Sequence, residues 1–266
     1  MTESAWVRIG VRVMAVITLG FLYLPLVILA VHAFNPSRYL AWPPTGFTLH
    51  WFADAASNPG LHKAIINSLI AGVGATVLAL ILGTLAAMAI QRFRFFGRDT
   101  ISFLLVLPIA LPGVVTGIAL QTTFRTAGIG LGLGTIIVGH ATFCVVIVYN
   151  NVIARLRRLP RSSEEASADL GADTFLTFRL ITLPAMRTAL LAGALLAFAL
   201  SFDEVIVTNF TAGPGTQTIP MWILGSLQRP QELPVVNVVA FLLILVSVIP
   251  VYFAQRIGGE AIGITR

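Results

Sequence analysis

Charged residues are scarce in this chain. Asp, Glu, Lys and Arg make up 11% of its 266 residues, against about 25% in an ordinary soluble protein. With 57% hydrophobic residues and a mean hydropathy of +0.90, that scarcity excludes a soluble globular protein and leaves a polytopic membrane protein. Cysteine is nearly absent: Cys144 stands alone in an apolar run, so neither a disulfide framework nor a cysteine metal cluster can be built. Lysine is as rare. Lys63 is the only one and His62, not glycine, precedes it, so no G-x-x-x-x-G-K phosphate loop exists. The chain cannot be its own ATPase by that route, and enzyme readings do poorly. His32, His50, His62 and His140 show neither H-E-x-x-H nor another compact ligand spacing, so no metal site is expected. The glycines of GIGLGLG at 128–134 lack a preceding strand and the spacing of a phosphate fingerprint; they read as a tight external turn.

What the chain has is apolar runs of membrane-spanning length. Six spans are expected, at about 13–34, 65–90, 101–123, 134–153, 188–210 and 234–255, in a single all-α transmembrane domain over 1–266. The first run is too long for the core of a typical signal peptide and reads as an uncleaved helix with Pro25 as a tolerated kink. The second carries Gly72, Gly74, Gly83 and Ala86–Ala87, small residues that let neighbouring helices approach, so it belongs inside the bundle. Pro108, Pro112 and Gly113 interrupt the third. Between the fifth and sixth, the chain reads as partly re-entrant or interfacial: Gly213-Pro214-Gly215 turns it and 218–228 is expected to form a short helix. His140, deep in the fourth run, reads first as a hydrogen-bonded helix-packing residue and only second as part of a ligand path.

The net charge of +6 is a topology signal rather than a nucleic-acid footprint. With six spans and both termini cytoplasmic, 13 of the 17 basic residues fall inside, Arg256 and Arg266 among them. Arg38, Lys63, Arg125 and Arg229 fall outside. That bias sets the orientation.

The longest polar interruption is 155–187, RLRRLPRSSEEASADLGADTFLTFRLITLPAMR. Ser162 and Glu165 have capping-box spacing, Gly171 can take a left-handed turn, and Asp173 can cap a second short helix that Pro184 stops or hands to the next span. Helix, glycine turn and helix would present a compact acidic face to a partner.

Glu165-Ala166-Ser167, Gly171 and Ile181-Thr182-Leu183-Pro184 resemble the EAA loop of permease subunits of bacterial ABC importers. That pattern runs E-A-A, three residues, G, nine residues, then I-x-L-P. Every position matches except the second alanine, here Ser167, a change that keeps the surface compact. The resemblance implies a type I ABC importer permease fold and a coupling loop that docks in a separate ATP-hydrolysing subunit. Glu165, Ala166, Ser167, Gly171, Ile181, Leu183 and Pro184 would be its coupling residues.

Asp203 and Glu204 lie inside the apolar run ALLAGALLAFALSFDEVIVTNF. An ionised carboxylate at the centre of a span costs roughly 2.5–3.5 kcal/mol on insertion scales unless something compensates it. Two readings stay open: a site on the solute pathway that attracts a cation, or a bond to a partner permease or a helix break near the outer surface.

The SFDEVIVTNF stretch (201–210), with the Gly-Pro after it and the Asn67-Ser68 opening of the second span, also resembles the spermidine/putrescine branch of these permeases, which has relatives for ferric ion and aminophosphonates. The resemblance implies a bacterial inner-membrane subunit forming half of a solute pathway. It would work with a second permease of different sequence, two ATPase subunits that bind ATP and Mg, and an extracytoplasmic solute-binding protein. This chain would hold no cofactor. A self-sufficient, ion-gradient-driven secondary transporter using Asp203 and Glu204 is the rival from another class. Six spans without a visible internal repeat weigh against it.

Overall fold

The computed structural model describes residues 5–39 and 42–262, and Arg266 of the basic-residue tally lies outside them. The described residues are helical, with turns and short extended links and no strand. They divide into two compact units. One comprises residues up to Pro59 with Ile223–Ile249; the other comprises Gly60–Trp222 with the C-terminal residues from Pro250.

In the first unit, α1 (Ala5–Ala33) is apolar around its circumference and its membrane-length stretch is unburied. An apolar helix with no covered face belongs against lipid or another chain. After it, Phe34 stacks on Phe47, leans on Phe52 and meets Phe241 edge-on, with ring centroids 5.0, 5.0 and 5.5 Å apart. The Trp51 indole N–H of α2 (His50–Ser57) donates to the Asn35 carbonyl at 2.9 Å. This aromatic knot holds the link and α2 against the first half of α12 (Leu233–Ile262).

The second unit is built on α3 (Pro59–Arg92), α6 (Leu133–Leu156) and α9 (Leu183–Phe202). On α3, Ala71, Ala75, Ala79, Gly83 and Ala87 are buried, whereas Val73, Val77, Ile81 and Leu85 are exposed. The usual size order is reversed because in lipid the small face gains close backbone approach and the large face already has an apolar solvent. A Cβ at Gly83 would lie 2.9 Å from the Val145 carbonyl oxygen on α6, and one at Gly72 would lie 2.9 Å from the Phe198 ring on α9. Cys144, Val148, Val152, Met186 and Ala197 fill the core between α6 and α9.

Among the described residues, five helices are long and apolar enough to cross a membrane, or six if one bent pair counts as a span. That pair is α4 (Arg98–Ala110) and α5 (Gly113–Thr126), bent by 107° at the break between them. Leu111 is extended ahead of Pro112, as the proline ring demands of the residue before it. The run at 101–123 is therefore broken at Leu111–Pro112, within the expected interruption. The fifth run departs from its expected bounds of 188–210. It begins earlier, as one helical stretch over Thr174–Phe202, and breaks before α10 (Ile206–Thr211). The glycine-proline turn then leads to α11 (Ile219–Ser226).

Candidate functional site

The loop between α6 and α9 folds as α7 (Ser162–Asp169), a glycine turn and α8 (Thr174–Thr177). Gly171 adopts φ +82°, a conformation that suits glycine, and its N–H donates to the Ala168 carbonyl at 2.9 Å, closing α7. Asp173 accepts the Leu176 N–H at 2.7 Å, the expected cap. Ser167 lies 3.0 Å from the Thr177 hydroxyl, so the residue that departs from the family alanine makes a bond alanine could not.

One local expectation fails. The capping box does not form, because Arg161 is itself helical and its carbonyl accepts the Glu164 and Glu165 N–H groups at 2.9 and 3.0 Å. Ser162 is thereby placed within the first turn, beyond the cap. Pro184 stands at the second position of α9, so of the two expected outcomes it is the one that begins the next long helix. A π-helical turn, Phe178–Thr182, carries the chain from α8 into α9, with the Leu183 N–H reaching the Phe178 carbonyl. The widened turn accommodates a residue that has no N–H to donate.

Of the expected coupling residues, Glu165, Ala166, Gly171 and Pro184 are exposed, Ser167 and Ile181 are half-buried, and Leu183 is 37% exposed. Sequence reasoning missed two kinds of residue here. Leu170 and Phe175, on either side of the glycine turn, are 89% and 69% exposed, apolar knobs on a polar loop. Glu164, overlooked beside the matching Glu165, pairs with Arg92 at the end of α3 and accepts the Thr182 hydroxyl at 2.8 Å. Apolar residues flanking an exposed turn were the available signal for the first kind. Nothing local marks the second.

The breaks between α4 and α5 and between α9 and α10 face each other across a cavity of about 190 Å³, whose lining includes Pro108, Leu111, Phe143, Leu200, Glu204 and Val207. Glu204 is half-buried, and its carboxylate accepts the Val207 N–H at 2.9 Å, taking up a backbone donor freed by the break. Asp203 ends α9, is exposed and does not line the cavity. The structure thus separates two acids that adjacency had grouped.

His140 is fully buried on α6, with Nδ1 2.7 Å from the Ser201 hydroxyl and Nε2 2.8 Å from that of Thr208. Thr208 gives its one hydroxyl proton to the Glu204 carbonyl at 2.6 Å, so it must accept from Nε2–H. In the neutral ring Ser201 donates to Nδ1. The ring is satisfied on both sides and pins α6 to the ends of α9 and α10.

The fold is helical with several membrane-length helices, and two broken helices flank a cavity lined in part by a carboxylate. Residues 59–258 match the family of binding-protein-dependent transport system inner membrane components, and the chain belongs to that family. It is 36% identical over 242 residues to the spermidine/putrescine transport system permease protein PotC of Escherichia coli K12, covering 91% of this chain and 90% of that one. It is 35% identical to the putrescine transport system permease protein PotI of the same strain, over 84% and 82%. A putative 2-aminoethylphosphonate transport system permease protein, PhnV of Salmonella typhi, is 26% identical over 92% and 95%. Among solved structures, a bacterial ABC transporter that imports the acidic polysaccharide alginate superposes with a TM-score of 0.74 at 17% identity, covering 96% of this chain and 99% of that one. The chain has the fold of an ABC importer permease and is a non-catalytic, multi-pass inner-membrane transport subunit.

Proposed function

We propose that this chain forms half of the pathway of an ABC importer for a polyamine of the spermidine or putrescine class, and that 162–184 docks on a separate ATPase. Glu204 carries the solute reading. It is a half-buried carboxylate beside a cavity at paired helix breaks, in a span where an ionised acid is costly unless a cation or a polar partner meets it. A protonated amine supplies that cation. The identity to PotC and PotI supports the same class. For the docking reading, the support is the exposed Leu170-Gly171 turn with Phe175 beside it, on the face that the positive-inside bias makes cytoplasmic. ATP-driven closure of the ATPase pair would favour one state of the permease over the other, which is what a ligand-driven change requires. A second permease of different sequence completes the pathway, a binding protein delivers the solute, and ATP with Mg stays in the partner. Both termini lie in the cytoplasm.

The test is uptake by liposomes holding this chain with its co-encoded ATPase, second permease and loaded binding protein. We expect spermidine or putrescine to enter on ATP addition and Glu204→Gln to reduce entry by roughly tenfold. Entry of 2-aminoethylphosphonate in place of either amine would remove the polyamine assignment.

A further inference from the structure

The docking loop is fastened to α3 as well as to α9. One carboxylate oxygen of Glu164 receives both the Arg92 guanidinium and the Thr182 hydroxyl. Arg161 adds a second link, donating to the Gln91 carbonyl at 3.4 Å. The last turn of α3 is therefore held at two points by the start of α7, and through Glu164 it is joined to the π turn that opens α9. Beneath these links lies a cavity of about 400 Å³ lined by Met88, Phe93, Ala168, Thr177 and Phe178 among others. Apolar packing is incomplete there, so the polar clamp is the stiff connection between α7 and α3. The Arg92 and Glu164 side chains are 19% and 24% exposed, shielded enough that water competes poorly for the pair.

The far end of α3 is fastened too. Asn67 donates its amide to the Gln217 carbonyl at 3.0 Å, and the Ser68 hydroxyl accepts the Ile219 N–H at 2.8 Å. Between Ser68 and Arg92 the helix has no internal proline and spans about 36 Å. A continuous helix held at both ends moves as a rod.

We infer that Glu164 is a positioning residue for transport: with Arg92 it makes α3 a second recipient of the docking loop's movement and delivers that movement to residues 217–219 at the opposite end. The inference rests on the docking role proposed above for 162–184. Without the clamp, closure of the ATPase would move α9 and leave α3 behind, so hydrolysis would continue with less solute moved per ATP.

The experiment uses the assembled transporter in liposomes and reads solute taken up per ATP hydrolysed, with recovered complex measured for each variant. Glu164→Gln, Arg92→Gln and the double variant should lower that ratio by roughly fivefold, the double no further than either single, and Arg92→Lys should keep it within about twofold. In a Cys144→Ala background, maleimide labelling of Gln217→Cys should change rate on ATP addition, and Glu164→Gln should abolish most of that change. Lower recovery with an unchanged ratio would overturn the inference, as would a Gln217→Cys rate indifferent to ATP. Gly171→Trp separates the two levels. If it uncouples and Glu164→Gln does not, the clamp alone fails; if both leave the ratio intact, the docking reading fails with it.

Discussion

His140 joins three helices through two hydroxyls, and its cost of removal can be argued from that geometry alone. His140→Ala would leave a fully buried space, strip Ser201 of its acceptor and leave the Thr208 oxygen without its donor. Buried hydroxyls that lose a partner cost on the order of 1–3 kcal/mol, with the lower end typical of helices in a bilayer. The protein carries a built-in reporter of unfolding in Cys144, its single and fully buried thiol. We expect His140→Ala to bring the onset of Cys144 labelling by a thiol-reactive dye to a lower temperature. His140→Gln, which offers a donor and an acceptor, should recover part of the loss. An unchanged onset in His140→Ala would mean that the bonds add nothing to stability. Glu204 belongs to the same scale: its carbonyl completes the His140 network while its carboxylate faces the cavity.

At the scale of the element, α3 is specified by what its faces can approach. Gly83→Ala would push a methyl to 2.9 Å from the Val145 carbonyl and the Val148 side chain, both on a rigid neighbouring helix. Overpacking of that kind costs about 1–3 kcal/mol, more than the gain of up to about 1 kcal/mol in helix propensity. Gly10 on α1 meets nothing within 4 Å, so Gly10→Ala should be neutral or slightly stabilising. The Cys144 labelling transition measured on both variants checks the pair, and equal shifts would contradict the close approach of α3 and α6. The broken elements follow the same logic in reverse. Pro112 supplies a local reason for α4 to stop, the Glu204 carboxylate takes up a free N–H at the start of α10, and the two breaks share one cavity.

At the scale of the whole molecule, the chain is a part rather than a machine. α1 presents an uncovered apolar surface, and the loop at 162–184 presents exposed Leu170 and Phe175. Purified alone in liposomes, it should move no solute under a proton or sodium gradient. Uptake should require co-reconstitution with the ATPase, the second permease and ATP. Gradient-driven uptake by the chain alone would restore the secondary-transporter reading.

The sequence by itself determined what depends on local chemistry: a membrane protein from the scarcity of charge, the apolar runs, the positive-inside bias, and the Glu165–Pro184 spacing. Gly171 and Asp173 were legible because a glycine turn and an aspartate cap are satisfied within a few residues. Only the tertiary structure decided the rest. Glu164 meets an arginine 72 positions away, and His140 meets hydroxyls 61 and 68 positions away. Asp203 and Glu204 are neighbours in the chain, but only Glu204 lines the cavity, because that depends on where α4, α5 and α10 come to rest. Hydrophobicity and turn preference act over a few residues, whereas burial and hydrogen-bond partnership are settled when distant segments pack, and no spacing along the chain records them.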